Sequence, residues 1–346
     1  MYDDRHSRTI DHQIIPLQAD SASQRIVFSL ERASNHRYQL QGMLGKQTGR
    51  RTYIACDRTN NQKVVIKCLL FGPDFRWQDL KLFERETETL KTLQHPAIPC
   101  YLDFFEVDIV EKNDLAENNN LLEPSVPQAV TEKDSFSRTQ QEVEQVVAET
   151  KGKTTEKSTE RKVLEQSLSK GFALVQTYIP APSLQALVAA GRRFSETDLK
   201  RIAQSLLTTL HYLHSAQPSV IHRDIKPSNV LLSVRPDRTI GQVYLVDFGA
   251  VQTVRTDGTM TVVGTYGYMP PEQFGGYAKP ASDLYGLGTT LIYLSTSEHP
   301  STLLQDNLQI EFEARVSLSP AFTQWLKRLT VVTPKFRTVP RESTLK

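Results

Sequence analysis

Hydrophobic residues follow two different periods in the first third of the chain. The runs RTYIAC and KVVIKCLL are rich in strand-forming residues and flank the turn DRTNNQ, which predicts two paired strands. WQDLKLFERETETLKTLQHP places Leu82, Phe83, Leu90 and Leu93 on one side, which is typical of a helix. YLDFFEV and GFALVQTYI indicate further strands. We therefore expect a strand-rich unit with one helix.

The pattern changes after Val107. From there to Lys170 the chain is dominated by Glu, Lys, Gln, Asn, Ser and Thr, and its only aromatic residue is Phe136. Such a segment buries too little apolar surface to offset the entropy of ordering, so we predict a disordered insertion at 108–170. It is either a regulatory or docking arm or a plain spacer. Residues 1–37 lack a sustained period and are expected to form a loosely ordered N-terminal extension.

The second half of the chain is mainly helical in pattern. FSETDLKRIAQSLLTTLHYLH predicts a helix that Ser195 and Asp198 open as a capping box. SDLYGLGTTLIYL and PAFTQWLKRLT indicate two more helices, and QVYLVDFG indicates a strand. A larger helical part therefore follows the strand-rich unit.

Composition narrows the class of protein. Of 346 residues 39% are hydrophobic, and 41 Lys and Arg against 39 Asp and Glu leave a net charge of +2. That balance gives no reason to expect a nucleic-acid or membrane-surface partner. Cys56, Cys68 and Cys100 lack metal-ligand spacing and suit reduced thiols. The start has no apolar signal-peptide core, and no run approaches the roughly 18 apolar residues of a membrane helix, so we expect a cytoplasmic protein.

The stretch HRDIKPSN carries the first chemical signal. It brings Asp224, Lys226 and Asn229 into one short loop. Phosphoryl transfer uses a carboxylate to orient a hydroxyl, a cation to stabilise the moving phosphoryl group and an oxygen ligand for Mg²⁺. The alternative is a polar loop whose Asp and Asn make turn hydrogen bonds. The whole string favours phosphoryl transfer.

The stretch YLVDFG carries the second signal. Asp247 ends an apolar strand and is followed two residues later by Gly249. Mg²⁺ prefers one or two carboxylates together with substrate phosphates, so Asp247 is a candidate metal ligand. Taken alone, the same three residues would more often form a plain turn.

HRDIKPSN, DFG and GTYGYMPPE, in that order, resemble the eukaryotic-like (Hanks-type) serine/threonine protein kinases. GRRTYIA, VVGTYGYMPPEQFGG and ASDLYGLG look most like the cyanobacterial branch. The resemblance implies an α+β, two-lobed protein kinase fold at 38–340, with a C-terminal tail at 341–346. Its N-lobe (38–179) would hold an antiparallel sheet and one helix, and its mainly α-helical C-lobe (180–340) would bind ATP against it.

The resemblance also assigns roles in the C-lobe. Asp224 matches the catalytic base, with Lys226 and the activation-segment threonine Thr265 beside it. Asn229 and Asp247 match the ligands of Mg²⁺, for which Mn²⁺ is an alternative. Structural roles fall to a set that includes the expected ion pair of Glu272 with Arg337 and an aspartate that holds the catalytic loop: His222, Arg223, Phe248, Gly249, Glu272, Asp283 and Arg337.

The N-lobe should supply a lysine and a glutamate. The strand period puts Lys67 on the face of Val65 and Leu69, and Glu86 shares the apolar face of the helix, whereas Glu84 and Glu88 do not. A buried carboxylate needs a partner, so we predict a Lys67–Glu86 pair that positions the α- and β-phosphates. The alternative is two surface charges.

The glycine-bearing loop departs from the family pattern. Gly45 matches the first loop glycine, Gln47 and Arg50 replace the other two, and Gly49 stands one place early. A left-handed Arg50 would cost about 1–2 kcal/mol. Arg50 or Arg51 either meets phosphate or is solvated. Nucleotide contacts are expected from this loop, the adenine ceiling, the gatekeeper and the hinge: Leu44, Gly45, Lys46, Gln47, Gly49, Arg50, Thr52, Val65, Gln176, Thr177 and Tyr178.

The threonine-rich segment TVRTDGTMTVVGT suggests regulation. Thr259, and next Thr261, are candidate phosphorylation sites that Arg223 would bind, although both could be unmodified. The expected reaction is transfer of the γ-phosphoryl group of Mg-ATP to Ser or Thr of protein substrates, the chain itself in trans among them. The rivals are a pseudokinase that senses nucleotide, which the altered loop favours, and a small-molecule kinase, which would lack GTYGYMPPE.

Overall fold

The structure is a computed structural model that describes residues 37–47, 49–73, 75–110, 168–235, 239–253 and 262–337. Apart from 108–110 and 168–169, the described residues belong to one compact unit. The predicted extension before residue 37, most of the predicted insertion, Thr259, Thr261 and the tail lie outside the described residues. The domain boundaries therefore stay predictions.

A five-stranded sheet forms the N-lobe, in the order β1-β2-β3-β5-β4. The β1–β2, β2–β3 and β3–β5 pairs are antiparallel. The bounds are β1 Tyr38–Gln47, β2 Arg50–Asp57, β3 Gln62–Leu70, β4 Tyr101–Val110 and β5 Leu168–Thr177.

The ends of strands β4 and β5 overlap the predicted insertion. The two strands reach three residues into 108–170 from either side, to Val110 and from Leu168. Main-chain hydrogen bonds build a strand whatever its side chains are, so side-chain polarity alone does not fix where these two strands end.

One helix, α1 (Trp77–Thr92), completes the N-lobe. Its Phe83 and Leu90 join Leu69 of β3 in the hydrophobic core. The first described residue is fastened to this lobe as well, because Arg37 Nη2 lies 2.7 Å from Asp57 Oδ2 and its Nη1 lies 3.5 Å from Asp103. The carboxylate of Asp57 is buried, so this pair fixes the start of β1.

The C-lobe is mainly helical, with two short two-stranded sheets. Its helix α5 is buried along most of its length and forms the centre of the lobe. Its helices are α2 Leu184–Ala189, α3 Glu196–Ser215, α4 Pro271–Phe274, α5 Pro280–Thr296 and α6 Pro320–Leu329. Its strands are β6 Val220–Ile221 paired with β9 Gln252–Thr253, and β7 Val230–Val234 paired with β8 Ile240–Leu245.

The predicted α+β two-lobed architecture is confirmed. The capping box that opens α3 is present, with Ser195 Oγ accepting from the Asp198 N–H and Asp198 Oδ2 accepting from the Ser195 N–H. Within the described ranges, no helix combines the length and the apolar character that a membrane crossing requires.

Candidate active site

The catalytic-loop candidate, HRDIKPSN, follows β6 and is held by α5. The carboxylate of Asp283 accepts the backbone N–H groups of His222 and Arg223 at 2.9 and 2.8 Å. It also lies 2.8 Å from His214 Nε2. Arg223 adopts a left-handed backbone conformation, with φ of 67°, which costs free energy and persists only where neighbours fix it. The predicted role of Asp283 in holding this loop matches these contacts.

Asp224 stands at the centre of a hydrogen-bonded cluster. Its Oδ1 accepts the hydroxyl of Thr265 at 2.7 Å. Lys226 Nζ lies 2.7 Å from both Asp224 Oδ2 and Thr265 Oγ1. Asn229 Nδ2 donates to Asp224 Oδ2 and to the main-chain oxygen of Asp224, both at 3.0 Å. The structure thus brings together four residues that the sequence placed in one site, and it shows Asp224 orienting a threonine hydroxyl.

Lys67 joins the N-lobe to the strand-end aspartate. Its Nζ lies 2.5 Å from Glu86 Oε1 and 2.7 Å from Asp247 Oδ1. The side chain of Lys67 is 14% exposed and that of Glu86 is 1% exposed, so the alternative of two surface charges was wrong. The second partner, Asp247, was not predicted, since no sequence period relates β3 to the end of β8.

The charges of this cluster depend on one another. Burial raises the pKa of the Glu86 carboxyl, and the ammonium of Lys67 opposes that rise. The same ammonium holds the pKa of Asp247 far below its usual range, so its carboxylate stays ionised. Asp247 also has a left-handed backbone, with φ of 66°, and its side chain is about half exposed. An ionised, accessible carboxylate at a strand end is available to a divalent cation.

The two residues after Asp247 fill close-packed positions. Phe248 is buried, and its ring meets that of His222 edge to face at a centroid distance of 4.9 Å. Burial lowers the pKa of His222, which keeps the ring neutral and suits a structural role. A Cβ at Gly249 would lie 3.1 Å from Arg50 Nη1 and 3.2 Å from Glu86 Oε2. A Cβ here would push the ends of these two charged side chains away by a few tenths of an ångström, so glycine allows their closest approach to the backbone.

The glycine-bearing loop is a tight hairpin. Gln47 pairs with Arg50, and Gly45 lies within β1 opposite Thr52. Gly49 takes the left-handed conformation, with φ of 67°, whereas Arg50 continues the strand. The strain considered for Arg50 is therefore absent, because the glycine one place earlier makes the turn. The side chain of Arg51 fastens this hairpin, since Nη1 donates to the main-chain oxygen of Gln47 at 2.7 Å.

Arg50 faces the Lys67 cluster. Arg50 Nη1 and Glu86 Oε2 both lie close to the position that a Cβ of Gly249 would take. The positive charge of Arg50, like that of Lys67, opposes the rise that burial causes in the pKa of Glu86. Two readings of this arginine, phosphate contact or solvation, were left open by the sequence. The structure favours the first, because the guanidinium lies beside the groups expected to hold nucleotide.

Part of the hinge backbone is already hydrogen-bonded within the protein. Gln176 is buried and pairs with Val65 across the sheet. The N–H of Thr177 donates to the Cys100 oxygen at 3.0 Å, and Thr177 Oγ1 accepts the Cys100 N–H at 2.9 Å. Thr177 therefore cannot offer its N–H to adenine, which leaves its carbonyl oxygen. The ring of Tyr178 lies 5.9 Å from Lys63 Nζ.

The Glu272–Arg337 ion pair lies at the C-terminal end of the activation segment. Arg337 Nη1 and Nη2 lie 2.5 and 3.0 Å from the two carboxylate oxygens of Glu272. The guanidinium stacks 5.0 Å above the ring of Tyr285. Gln273 adds a contact that no sequence signal indicated, since its amide donates to the main-chain oxygens of Arg223 and Val263. The segment is thereby fixed to the catalytic loop.

Comparison with known proteins decides the family. The sequence model of the protein kinase domain family matches residues 159–343, which are more than half of the chain. The chain belongs to the protein kinase domain family. The resemblance to Hanks-type kinases of the cyanobacterial branch is confirmed as well, since the relatives below come from cyanobacteria.

Three relatives give the scale of the similarity. Serine/threonine-protein kinase B of a Synechocystis species is 27% identical over 323 residues, which are 88% of this chain and 44% of the relative. PknA of a Nostoc species is 40% identical over 140 residues, 38% of this chain and 24% of the relative. Kinase D of Synechocystis is 38% identical over 156 residues, 42% and 29%. The chain thus spans less than half the length of each relative.

Proposed function

We propose that this chain transfers the γ-phosphoryl group of Mg-ATP to serine or threonine hydroxyls of proteins. One observation carries the proposal: Asp224 Oδ1 accepts the hydroxyl of Thr265 at 2.7 Å while Lys226 Nζ contacts both groups. A carboxylate that orients a threonine hydroxyl can orient a substrate hydroxyl in the same way and accept its proton. Lys226 would then stabilise charge on the transferred group.

The nucleotide site is proposed from the charges that face each other across the lobes. Lys67, held by Glu86, would contact the α- and β-phosphates, and Asp247 with Asn229 would hold Mg²⁺. One carboxylate and one amide oxygen suit Mg²⁺, which completes its shell with water and phosphate oxygens. Among the described residues, no cluster of three His, Cys, Asp or Glu side chains offers a cage independent of substrate. Bound Mg²⁺ would neutralise phosphate charge.

The hairpin is proposed to cover the phosphates through its backbone. Its turn is made by Gly49, and Arg50 would add a cation on the side of Lys67. The further contacts proposed for ATP come from the hairpin, the adenine pocket and the hinge: Leu44, Gly45, Lys46, Gln47, Thr52, Val65, Gln176, Thr177 and Tyr178.

Regulation by phosphorylation is proposed from a pair of arginines. Burial, and next the positive charge of Arg85 on α1, lower the pKa of Arg223 to about 10. Arg223 Nε already donates to the Ala250 oxygen at 2.5 Å, so the loop before the activation segment is fixed to it. An anion near Arg223 and Arg85 would offset the repulsion between their like charges. A phosphate on Thr259 or Thr261 would supply one.

Autophosphorylation with phosphosite mapping tests this function. The purified chain is incubated with Mg-ATP beside Asp224→Asn and Asp247→Ala, with Asp198→Asn at the start of α3 as a matched control. We expect phosphate on Thr259 or Thr261 in the chain and the control, and loss of it in both site variants. Phosphate incorporated equally by Asp224→Asn would contradict the proposal, as would phosphate confined to tyrosine.

A further inference from the structure

The side chain of Gln273 bridges the activation segment and the catalytic loop. Gln273 lies in α4 and is 1% exposed. Its Nε2 donates to the main-chain oxygen of Arg223 at 2.7 Å and to that of Val263 at 2.6 Å. A carboxamide nitrogen carries two hydrogens, so this one group can serve both oxygens. Neither oxygen belongs to a helix or a strand, so the bridge is a contact between two loops.

The first bond of the bridge fixes the peptide group that leads into Asp224. The oxygen of Arg223 and the N–H of Asp224 belong to one planar peptide group. Gln273 donates to this group at its oxygen, and the N–H of the same group donates to His222 Nδ1 at 3.4 Å. A peptide plane held on both sides sets the direction in which the chain enters Asp224.

The same bond supports a strained residue. Arg223 has a left-handed backbone, which persists only where neighbours fix it. Its N–H donates to Asp283 at 2.8 Å and its oxygen accepts from Gln273, so both of its main-chain polar groups are held. The bridge itself starts from a fixed point, because Ser282 Oγ donates to Glu272, the residue before Gln273, at 2.8 Å. Helix α5 thus supports both ends of the bridge.

The second bond of the bridge fixes the approach to Thr265. Val263 lies two residues before Thr265, whose hydroxyl donates to Asp224 Oδ1 at 2.7 Å. Gly264 stands between them with φ of 140°, and a Cβ on it would lie 2.5 Å from Gln273 Nε2. The segment therefore passes the carboxamide as closely as glycine allows. One side chain thus holds the chain on either side of the hydrogen bond between Thr265 and Asp224.

We propose that Gln273 is a positioning residue for phosphoryl transfer, whose carboxamide holds Asp224 and Thr265 in register. The inference rests on the proposed function and adds to it a residue that acts through Asp224. Misplacement of a reacting group by about 1 Å can cost about 100-fold in rate, so loss of the carboxamide should lower kcat by about 10- to 100-fold. The KM for ATP should change by less than about 2-fold, because both hydrogens of the carboxamide are used in the bridge.

Two variants separate a hydrogen-bonding role of Gln273 from a packing role. Gln273→Met keeps the volume and removes the donor, whereas Gln273→Asn keeps the carboxamide on a shorter side chain. We expect kcat to fall by about 10- to 100-fold in Gln273→Met and to be partly recovered in Gln273→Asn. A side chain that only fills space would give the opposite order, because the shorter one leaves a cavity.

The measurement uses one serine peptide that the unaltered chain selects from a peptide library. Both kcat and the KM for ATP are determined at a temperature well below the thermal midpoint of every variant. Gln242→Met is the matched control and should keep kcat. The amide of Gln242 also donates to a main-chain oxygen, that of Val243 at 3.1 Å, but Gln242 is exposed and lies in β8.

The outcomes distinguish this inference from the function on which it rests. If the unaltered chain phosphorylates the peptide and Gln273→Met keeps kcat within about 3-fold, the positioning role is overturned and the kinase activity stands. A lower kcat in Gln273→Asn than in Gln273→Met also overturns the role. If Gln273→Met does not fold, Gln273→Asn decides, since an unchanged kcat overturns the role and a reduced kcat at unchanged KM for ATP supports it. If the unaltered chain phosphorylates no peptide, the proposed function fails and the positioning role fails with it.

Discussion

The catalytic loop and the glycine-bearing hairpin lie on opposite sides of the candidate site and differ in how the fold holds them. Asp224, Lys226 and Asn229 are each bonded to one another or to Thr265, and α5 fixes the loop beneath them. The hairpin extends from an exposed strand, and Gly49 takes the left-handed conformation at its turn. Because main-chain groups form that turn, the side chains around it can change. The catalytic loop has less freedom, since the side chains of Asp224, Lys226 and Asn229 are held in one hydrogen-bonded network with Thr265.

Of the variants that probe this comparison, Lys67→Met should have the largest effect on phosphoryl transfer. It removes the cation between Glu86 and Asp247, so we expect phosphoryl transfer to fall by about 100- to 1000-fold. Leaving the buried Glu86 carboxylate without its ammonium should cost about 3 kcal/mol of unfolding free energy. Both are measured on one sample, by initial rates and by urea unfolding. Lys91→Met on the exposed end of α1 is the control, and an effect of equal size there would contradict the assignment.

Arg337→Met tests how much the Glu272–Arg337 ion pair stabilises the C-lobe. Glu272 would lose both of its guanidinium bonds, and we expect the free energy of unfolding to fall by about 3 kcal/mol. The matched variant is Arg315→Met, which removes an exposed ion pair with Glu298 and should cost less than about 1 kcal/mol. Equal losses in urea unfolding would show that burial of the first pair does not matter.

Asp57→Asn tests how much the Arg37–Asp57 pair stabilises the N-lobe, through the pH dependence of the free energy of unfolding. The hydrogen bonds from Arg37 lower the pKa of Asp57 from 3.8 to about 2. A lowered pKa stabilises the fold above the unfolded value and loses that effect as the pH falls from about 4 towards 2. We expect the variant to be about 2 kcal/mol less stable at pH 7 and the difference to shrink by about half at pH 3. A difference that stays constant in urea unfolding over this range would refute the pair's contribution.

Gly249→Ala probes the approach of the two regions. The new methyl group would press against the ends of Arg50 and Glu86 rather than against backbone, so the side chains can yield at a cost. We expect about 10-fold slower transfer with unchanged urea unfolding. Gly72→Ala, whose Cβ meets nothing within 4 Å, should leave the rate as it was. Equal rates for both variants would mean that no close approach exists.

Arg50→Gly should have the smallest effect and sharpens the reading of the hairpin. It restores the glycine expected there and removes a cation near the phosphates, so we expect the KM for ATP to rise about 5-fold while kcat changes little. Arg50→Lys should recover part of the loss. A lower KM in Arg50→Gly would mean that the arginine obstructs the nucleotide.

Local pattern was sufficient for most elements. The helix around Glu86 and the capping box at Ser195 follow from periodicity and capping chemistry, and the structure has both. The strand ends near Val110 and Leu168 could not be predicted, because main-chain pairing leaves no mark in composition. The same holds for Arg37, which is bonded to Asp57 and Asp103 from a segment without any period.

The sequence predicted which residues form the candidate site better than it predicted which of them contact one another. Motif order placed Asp224, Lys226, Asn229 and Thr265 together, and the structure has them in contact. That Lys67 also meets Asp247 depends on how the two lobes close, and local spacing does not encode it. The left-handed conformation of Gly49 was not predicted either, since that conformation was considered from the sequence only for Arg50.

The most direct test of the account measures Mg-ATP binding and phosphoryl transfer on the same samples. Calorimetry gives the Kd, and incorporation of phosphate into serine peptides gives the rate. Asp224→Asn should bind Mg-ATP within about 3-fold of the unaltered chain and transfer at least about 100-fold more slowly. An unaltered chain that binds Mg-ATP but transfers no phosphate would contradict the account and favour a nucleotide-sensing pseudokinase.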